Sequence, residues 1–137
     1  RLIVQDLTKY ALDEPRARER LTANPNLRLE LADRAVEAQV EALICYRIVS
    51  MQDRGEIPNK ESSIAKLYGS ELDVRLSLTA MHLAGLDSQF WTHDEPRGIN
   101  GRIGRFYMAA TTSPIGGGTS EIQRNIIATR GLGLPRA

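Results

Sequence analysis

The sequence is poor in aromatic residues, has a single cysteine and carries no large excess of charge of either sign. Seven of its 137 residues are aromatic: four tyrosines, two phenylalanines and one tryptophan. No segment alternates apolar and polar residues for long, so we expect no β-sheet. Cys45 has no second cysteine to pair with, which excludes a disulfide within this sequence and favours a reducing compartment. The net charge of +1 argues against a nucleic-acid-binding protein.

Long apolar runs are also missing. Without about 18 consecutive apolar residues we expect no membrane span, and residues 1–6 lack the apolar stretch and cleavage site of a signal peptide. We therefore expect a soluble, cytoplasmic protein. The sequence begins at Arg1, within an amphipathic helical pattern and without methionine, so we expect it to be part of a longer chain.

Two long helices are predicted in the middle of the sequence. One spans residues 27 to about 53, and the other runs to about residue 84 after a turn in which Asn59 can cap it. Apolar residues repeat on each at intervals of three and four, as in a bundle seam. The seam residues are Leu31, Ala35, Ala38, Ala42, Cys45 and Val49 on the first helix, and Ala65, Tyr68, Leu72, Leu76, Ala80 and Leu83 on the second. Because about six residues join the helices, we predict an all-α antiparallel four-helix bundle, with Cys45 in its core.

Shorter segments flank this pair. A first helix ends before Pro15, because proline disfavours helical geometry in the residue ahead of it, and residues 16–22 form a short charged helix or turn. Residues 85–101 are polar and broken by glycine and proline, which predicts a surface loop, and residues 102–112 form a short helix. His93 lacks a second ligand at metal spacing, and Trp91 is interpreted as a loop anchor or interface residue.

The last twenty residues combine a flexible backbone with a helix start. Glycines 116–118 precede Thr119 and Ser120, which cap the next helix. Unpaired N–H groups and the positive end of the helix dipole would stabilise an anion there. Gly131 in a left-handed conformation and Pro135 beyond it end the helix. The pattern fits a phosphate or oxyanion cradle, and it also fits an ordinary capped loop.

A resemblance to a known family bears on this choice. The sequences GGTSEIQRNIIA at residues 117–128 and RGLGLPR at residues 130–136 are similar to the C-terminal signature of the acyl-CoA dehydrogenases, flavoproteins that oxidise acyl-CoA thioesters. SIAK at residues 63–66 resembles a conserved helix start of the family, at the expected distance. The resemblance covers roughly residues 20–137. It implies that residues 1–137 form the family's C-terminal helical domain, without the helical N-terminal and β-rich middle domains.

The resemblance also implies a cofactor, FAD. By matching positions, Gly118, Thr119, Ser120 and Glu121 lie against the flavin. Capping of the helix by Thr119 is compatible with this contact.

A second set of matching positions implies contact with a neighbouring subunit's flavin. His82 and Gly85 match positions near its adenine and pyrophosphate half, although Leu86 replaces a second glycine of the family pattern. Arg18, in the middle of a cluster of arginines at residues 16, 18 and 20, is the candidate for the pyrophosphate, since a guanidinium group pairs well with phosphate. Both His82 and the arginines also fit ordinary solvent-facing residues.

No catalytic residue is expected in this sequence. In many family members a glutamate directly before the Gly-Thr pair removes the α-proton of the thioester while a hydride passes from the β-carbon to the flavin. Gly117 stands at that position and can accept no proton. The base could lie on a helix before Arg1, or the chain could be a subunit whose homologous partner carries the glutamate. Glu121 matches a cofactor-side position and is no substitute.

The resemblance therefore implies the FAD-contacting and oligomerisation domain of an acyl-CoA dehydrogenase, an oxidoreductase of fatty acid and lipid metabolism. Its partners would be an acyl-CoA substrate, an electron acceptor and further subunits in a homodimer or homotetramer. The chain alone should be inactive. Two alternatives stay open: a non-catalytic partner subunit of a heteromeric enzyme, and a helical assembly module without cofactor.

Overall fold

A computed structural model describes residues 2–91, 99 and 101–135. Over these residues the chain is helical and forms no strand, which confirms the all-α prediction. The α-helices are α1 (Leu2–Asp13), α2 (Pro15–Ala23), α3 (Pro25–Asp53), α4 (Asn59–Ala84), α5 (Arg102–Ala110) and α6 (Ser120–Ile126). A 3₁₀ turn (Gly85–Gln89) follows α4, and a wider π turn (Ile127–Gly131) continues α6. Within the same residues no helix is both long and apolar enough to cross a bilayer.

Proline and asparagine set the helix starts near the N-terminus. Pro15 and Pro25 occupy the first turns of α2 and α3, where a missing N–H costs nothing. The Asn24 side chain accepts hydrogen bonds from the N–H groups of Asn26 and Leu27. The capping makes α3 begin at Pro25, two residues earlier than predicted.

The predicted cap at Asn59 is wrong. Pro58 holds the capping position, and no side chain caps this end of α4. Asn59 is the first helical residue, and its Oδ1 accepts a hydrogen bond from Arg130 at 3.2 Å. The asparagine therefore ties α4 to the end of the chain instead of closing its own helix.

Helices α3 and α4 run antiparallel, as predicted. Their contacts pair early residues of one helix with late residues of the other, along most of their length. The pairs are Glu30 with His82 at 3.1 Å, Glu37 with Arg75 at 2.9 Å and Arg47 with Glu61 at 3.7 Å. Helices α1, α2 and α5 pack around this pair.

The hydrophobic core is centred on α4. Four residues of its predicted seam are buried, namely Leu72, Leu76, Ala80 and Leu83. Helix α1 adds Val4, Leu7 and Ala11, α2 adds Ala17, and α5 adds Ile103. This burial confirms the seam predicted for the second half of α4.

The prediction that Cys45 lies in the core is wrong. Along α3 the buried core extends only to Ala38, while Cys45 is exposed and Val49 is 61% exposed. At 100° per residue, both lie on the same face of α3 as Ala38. Periodicity therefore identified the correct face of the helix, but the core ends before the helix does.

The predicted loop at residues 85–101 is only partly described. Its first residues form the 3₁₀ turn, in which Asp87 and Ser88 are buried. The turn is held because the Ser88 hydroxyl donates to the Gly85 carbonyl at 2.6 Å and Arg16 pairs with Asp87 at 3.4 Å. A surface loop was therefore the wrong prediction for these residues. Residues 92–98, including His93, lie outside the described part of the chain.

Candidate functional site

Two glycines in the left-handed region lead into α6. Gly117 has φ 67° and Gly118 has φ 96°, values that side chains rarely adopt. A Cβ on Gly118 would lie 2.8 Å from Nε2 of Gln123, whereas a Cβ on Gly117 would meet nothing within 4 Å. The same Nε2 donates to the Gly117 carbonyl at 3.1 Å. The buried Gln123 side chain therefore holds this turn against α6.

Backbone N–H groups in the first turn of α6 already have hydrogen-bond acceptors within the chain. Thr119 is the cap, as predicted: its Oγ1 accepts from the N–H of Ile122 at 3.3 Å, and its carbonyl accepts from Gln123. The N–H of Ser120 donates to the Pro114 carbonyl at 3.1 Å. The pKa of the Glu121 carboxyl is lowered by hydrogen bonds from its own backbone N–H and then from the Thr119 hydroxyl. An anion cradle requires N–H groups that are free to bind the anion. In this conformation these N–H groups are already hydrogen-bonded within the chain.

Ser120 is the exception in this arrangement. The residue is only 7% exposed, and its Oγ is buried without a hydrogen-bond partner among the described residues. A buried hydroxyl left unpaired costs about 1–3 kcal/mol. The position therefore favours a ligand that brings a hydrogen-bonding atom to Ser120.

Helix α4 anchors the other end of the turn. Nζ of Lys66 donates to the carbonyls of Ser113 and Pro114 at 3.2 and 3.3 Å. The Ser113 hydroxyl donates to Asp73 at 3.3 Å. Burial raises the pKa of the Asp73 carboxyl, and the hydrogen bond from Ser113 partly offsets this effect. Residues 113–120 are therefore held from α4 on one side and from α6 on the other.

Glu41 on α3 adds a second carboxylate to this region. It lies over Gly69 of α4, in space that a Cβ would fill. Burial, and then the charge of Asp73, raise the pKa of the Glu41 carboxyl above its ordinary value of 4.5. The folded chain therefore disfavours the ionised form of Glu41.

Glu41→Gln should stabilise the fold at neutral pH. Because the pKa of Glu41 is raised in the folded state, the gain in unfolding free energy should be complete above that raised pKa. The gain should fade as the pH falls through the raised pKa and vanish below the ordinary value of 4.5. We expect a gain of under about 1 kcal/mol, because the group is partly screened by solvent. Unfolding midpoints at pH 7 and pH 4 measure it. Glu56→Gln is the control, since Glu56 pairs with Arg54 at 2.7 Å and should give no gain. An equal gain at both pH values would contradict the prediction.

A second group of predicted residues lies at the far end of α4. His82 Nδ1 lies 3.1 Å from Glu30 Oε2, and both line a groove that also includes Arg20. Gly85 has φ 58°, and a Cβ there would lie 2.7 Å from the guanidinium of Arg20. The predicted residues His82 and Gly85 are therefore neighbours at one end of the bundle.

Arg20, which the sequence analysis did not single out, is the arginine at Gly85. It donates to the Leu83 carbonyl at 3.1 Å, whereas the Arg18 guanidinium donates to the carbonyl of Leu12 at the end of α1. The available signal was helical spacing: residues 16 and 20 share a face of α2, and residue 18 does not. Arg16, on the shared face, contacts Asp87 of the same 3₁₀ turn.

The chain end also differs from its prediction. The left-handed glycine is Gly133, with φ 71°, and Gly131 is not in this region. The reason is that α6 continues into the π turn, which takes up Gly131 as its last residue. The N–H groups of Leu132 and Leu134 then close this end on the Ala128 carbonyl.

The two groups of residues lie about 24 Å apart along α4, judged by the 16-residue separation of Lys66 and His82. The molecule is thus a helical bundle with a glycine-rich turn and buried serine near one end and an arginine–glycine–histidine cluster at the other. The family model for the C-terminal domain of acyl-CoA dehydrogenases matches residues 1–132. The chain belongs to the acyl-CoA dehydrogenase family, and the match also covers α1 and the first half of α2, which lie outside the span of the sequence resemblance.

Individual relatives agree with this assignment. Acyl-CoA dehydrogenase FadE26 of Mycobacterium tuberculosis is 34% identical over 122 residues, which cover 86% of this chain and 30% of the relative. The short-chain specific mitochondrial acyl-CoA dehydrogenase of Rattus norvegicus is 32% identical over 120 residues, or 88% of this chain and 27% of the relative. The chain thus spans about 30% of the length of these curated relatives.

Solved structures share the fold. The ChsE4-ChsE5 complex from Mycobacterium tuberculosis superposes with a TM-score of 0.80 at 32% identity, covering 98% of this chain and 34% of the solved chain. The Tcur3481-Tcur3483 steroid ACAD superposes with a TM-score of 0.84 at 23% identity over the same shares. At 23% identity, this second match supports only the shared fold.

Proposed function

We propose that this chain is the FAD-contacting and oligomerisation domain of an acyl-CoA dehydrogenase of lipid metabolism that works in the cytoplasm. The complete protein would carry out α,β-dehydrogenation of an acyl-CoA thioester and pass electrons on to an acceptor. The observation that carries the proposal is the buried, unpaired hydroxyl of Ser120 beside the glycine turn. Family membership and the matched signature support it.

The residues of the turn fit a flavin. Ser120 offers a hydroxyl that both donates and accepts, and the missing Cβ of Gly118 lets the Gln123 side chain hold the turn beside it. Thr119 and Glu121 stand beside them on the first turn of α6. When bound, FAD would supply the hydride acceptor of the reaction, while this chain would bind and orient it.

Gly117 leaves this chain without a carboxylate at the usual base position, so the general base must come from elsewhere. A Cβ there would meet nothing within 4 Å, so the position faces open space. The base lies either on another segment of the complete protein or on a homologous subunit. The second case makes this chain a non-catalytic partner, and the two-protein complex among its structural relatives supports keeping it as an alternative.

The far end of α4 belongs to the same proposal. In this assignment His82 and Gly85 contact the flavin of a neighbouring subunit, with Arg20 beside Gly85, and Arg18 is retained as the candidate for the pyrophosphate. The separation of about 24 Å between the two groups along α4 supports two half-sites that are each completed across an interface.

The exposed side of α3 supports assembly with other subunits. Leu29, Val36, Val40 and Leu43 are 64%, 63%, 39% and 63% exposed and, spaced by seven, four and three residues, form one stripe. We call these four residues the α3 stripe. It lies opposite Ala38, which faces the core. A helix that is apolar on two sides is typical of one packed on both sides.

Ser120→Ala tests the flavin proposal in the complete protein. We expect FAD affinity to fall roughly 3- to 10-fold, since one hydrogen bond is lost, while the unfolding midpoint of the apoprotein rises or stays the same, because an unpaired buried hydroxyl is removed. Titration of apoprotein with FAD and thermal unfolding measure both. Ser77→Ala is the control, a buried serine whose hydroxyl already pairs with the Val74 carbonyl, and it should leave FAD affinity unchanged.

Two results would count against the proposal. Unchanged FAD affinity in Ser120→Ala would remove Ser120 from the contact. A complete protein that binds no FAD would favour the cofactor-free assembly module.

A further inference from the structure

Lys66 connects α4 to the turn at residues 113–118, which leads into α6, through one shared carbonyl. Its ammonium donates to the successive carbonyls of Ser113 and Pro114. The Pro114 carbonyl also accepts the N–H of Ser120 at 3.1 Å. Two donors from separate helices thus meet at one oxygen, and one of them belongs to the residue with the unpaired hydroxyl.

Asp73 supports the same anchor from the same side of α4. It lies seven residues, or two helical turns, after Lys66, and it accepts the hydrogen bond of the Ser113 hydroxyl. Lys66 therefore donates to the carbonyl of Ser113, while Asp73 accepts a hydrogen bond from the hydroxyl of Ser113. Both contacts join segments that are 40 or more residues apart in sequence, so local turn propensity does not replace them.

The charge of Lys66 also extends to α6. It is among the groups that lower the pKa of Glu121, after the hydrogen bonds of that carboxylate and the nearby Arg124. A neutral side chain of similar length would keep much of the packing but would lose both carbonyl contacts and this field. A neutral substitution can therefore separate the hydrogen bonds and charge of Lys66 from the packing of its side chain.

We propose that Lys66 is a positioning residue for the cofactor: by holding the carbonyls of Ser113 and Pro114, it sets where Ser120 presents its hydroxyl to the flavin. The inference rests on the proposed function, because it assumes that Ser120 contacts FAD. It assigns Lys66 no contact with substrate or cofactor. Its effect passes through the Pro114 carbonyl to α6.

Substitution at Lys66 in the complete protein tests the inference. We expect Lys66→Met to weaken FAD binding about as much as Ser120→Ala does, roughly 3- to 10-fold, because losing both carbonyl contacts displaces the Ser120 hydroxyl. Lys66→Arg should recover most of the affinity, since a guanidinium can donate to both carbonyls. Lys9→Met, on the exposed face of α1, is the matched control and should bind FAD as the unaltered protein does. FAD titration and the visible circular dichroism of the bound flavin are the measurements.

A double substitution distinguishes positioning from general destabilisation. If Lys66 acts through Ser120, Lys66→Met combined with Ser120→Ala should bind FAD about as well as Lys66→Met alone, because the second change removes a group already displaced. Additive losses, or unchanged affinity in Lys66→Met, would overturn the inference while leaving the proposed function intact. If the unaltered complete protein binds no FAD, the proposed function fails and the inference fails with it.

Discussion

A glutamate placed in the α3 stripe should dissociate the assembly of the complete protein. Leu43→Glu and Val36→Glu each put a charge on a side chain that is 63% exposed in the single chain and that would be covered in the assembly. Burying an unpaired charge at an interface costs about 2–5 kcal/mol. We therefore expect the dissociation constant to rise by roughly 30-fold or more. Sedimentation or mass photometry over a range of protein concentrations would show it.

Ile57→Glu is the control for this experiment. Ile57 is 86% exposed in the turn between α3 and α4, away from the stripe. The control should keep the mass of the unaltered protein, and all variants should keep their helical circular dichroism. An unchanged mass for both stripe variants at low concentration would contradict the assembly role of α3.

Gly118→Ala should damage the turn that leads into α6 far more than Gly117→Ala. Both glycines have positive φ, so each alanine should bring backbone strain of about 1–2 kcal/mol. At Gly118 the new Cβ would also collide with Nε2 of Gln123, the atom that holds the Gly117 carbonyl. We expect a total cost of about 2–4 kcal/mol at Gly118, with a loss of FAD affinity of tenfold or more in the complete protein.

Urea unfolding and FAD titration of the two alanine variants measure this difference. Gly117→Ala is the matched control, because its Cβ would enter open space. Shortening the opposing side chain in Gly118→Ala/Gln123→Ala should relieve the collision while leaving the strain. Equal losses of stability and FAD affinity in the two alanine variants would show that the contact of Gln123 with the turn contributes nothing.

The helix positions could be predicted because their signals are local. Pro15 marks the start of α2 by its own geometry, and Thr119 caps the helix that directly follows it. The family resemblance drew attention to the same glycine turn. These features depend on a few neighbouring residues, so one sequence is enough to identify them.

The sequence alone could not show how far neighbouring elements extend or which way side chains face. Cys45 lies on the expected face of α3, but its burial depended on where the core ends. Arg18 and Arg20 are two residues apart, and only the direction of each on α2 decides which one meets Gly85. Lys66 stood in a recognised motif, yet its partners lie 47 and 48 residues away. Tertiary packing alone determines these outcomes.

The end of the core at Ala38 divides α3 into two parts whose stability has different sources. Local unfolding free energy follows the buried contacts of each segment. Residues 25–38 share the cooperative unit of the chain's own core, while residues 39–53 continue past it for about 22 Å. In the proposed assembly, order in this second part would therefore depend on contacts between subunits as much as on the chain itself. Apart from Glu41, which packs against Gly69 of α4, substitutions there should alter association between subunits before they alter the folding of the chain itself.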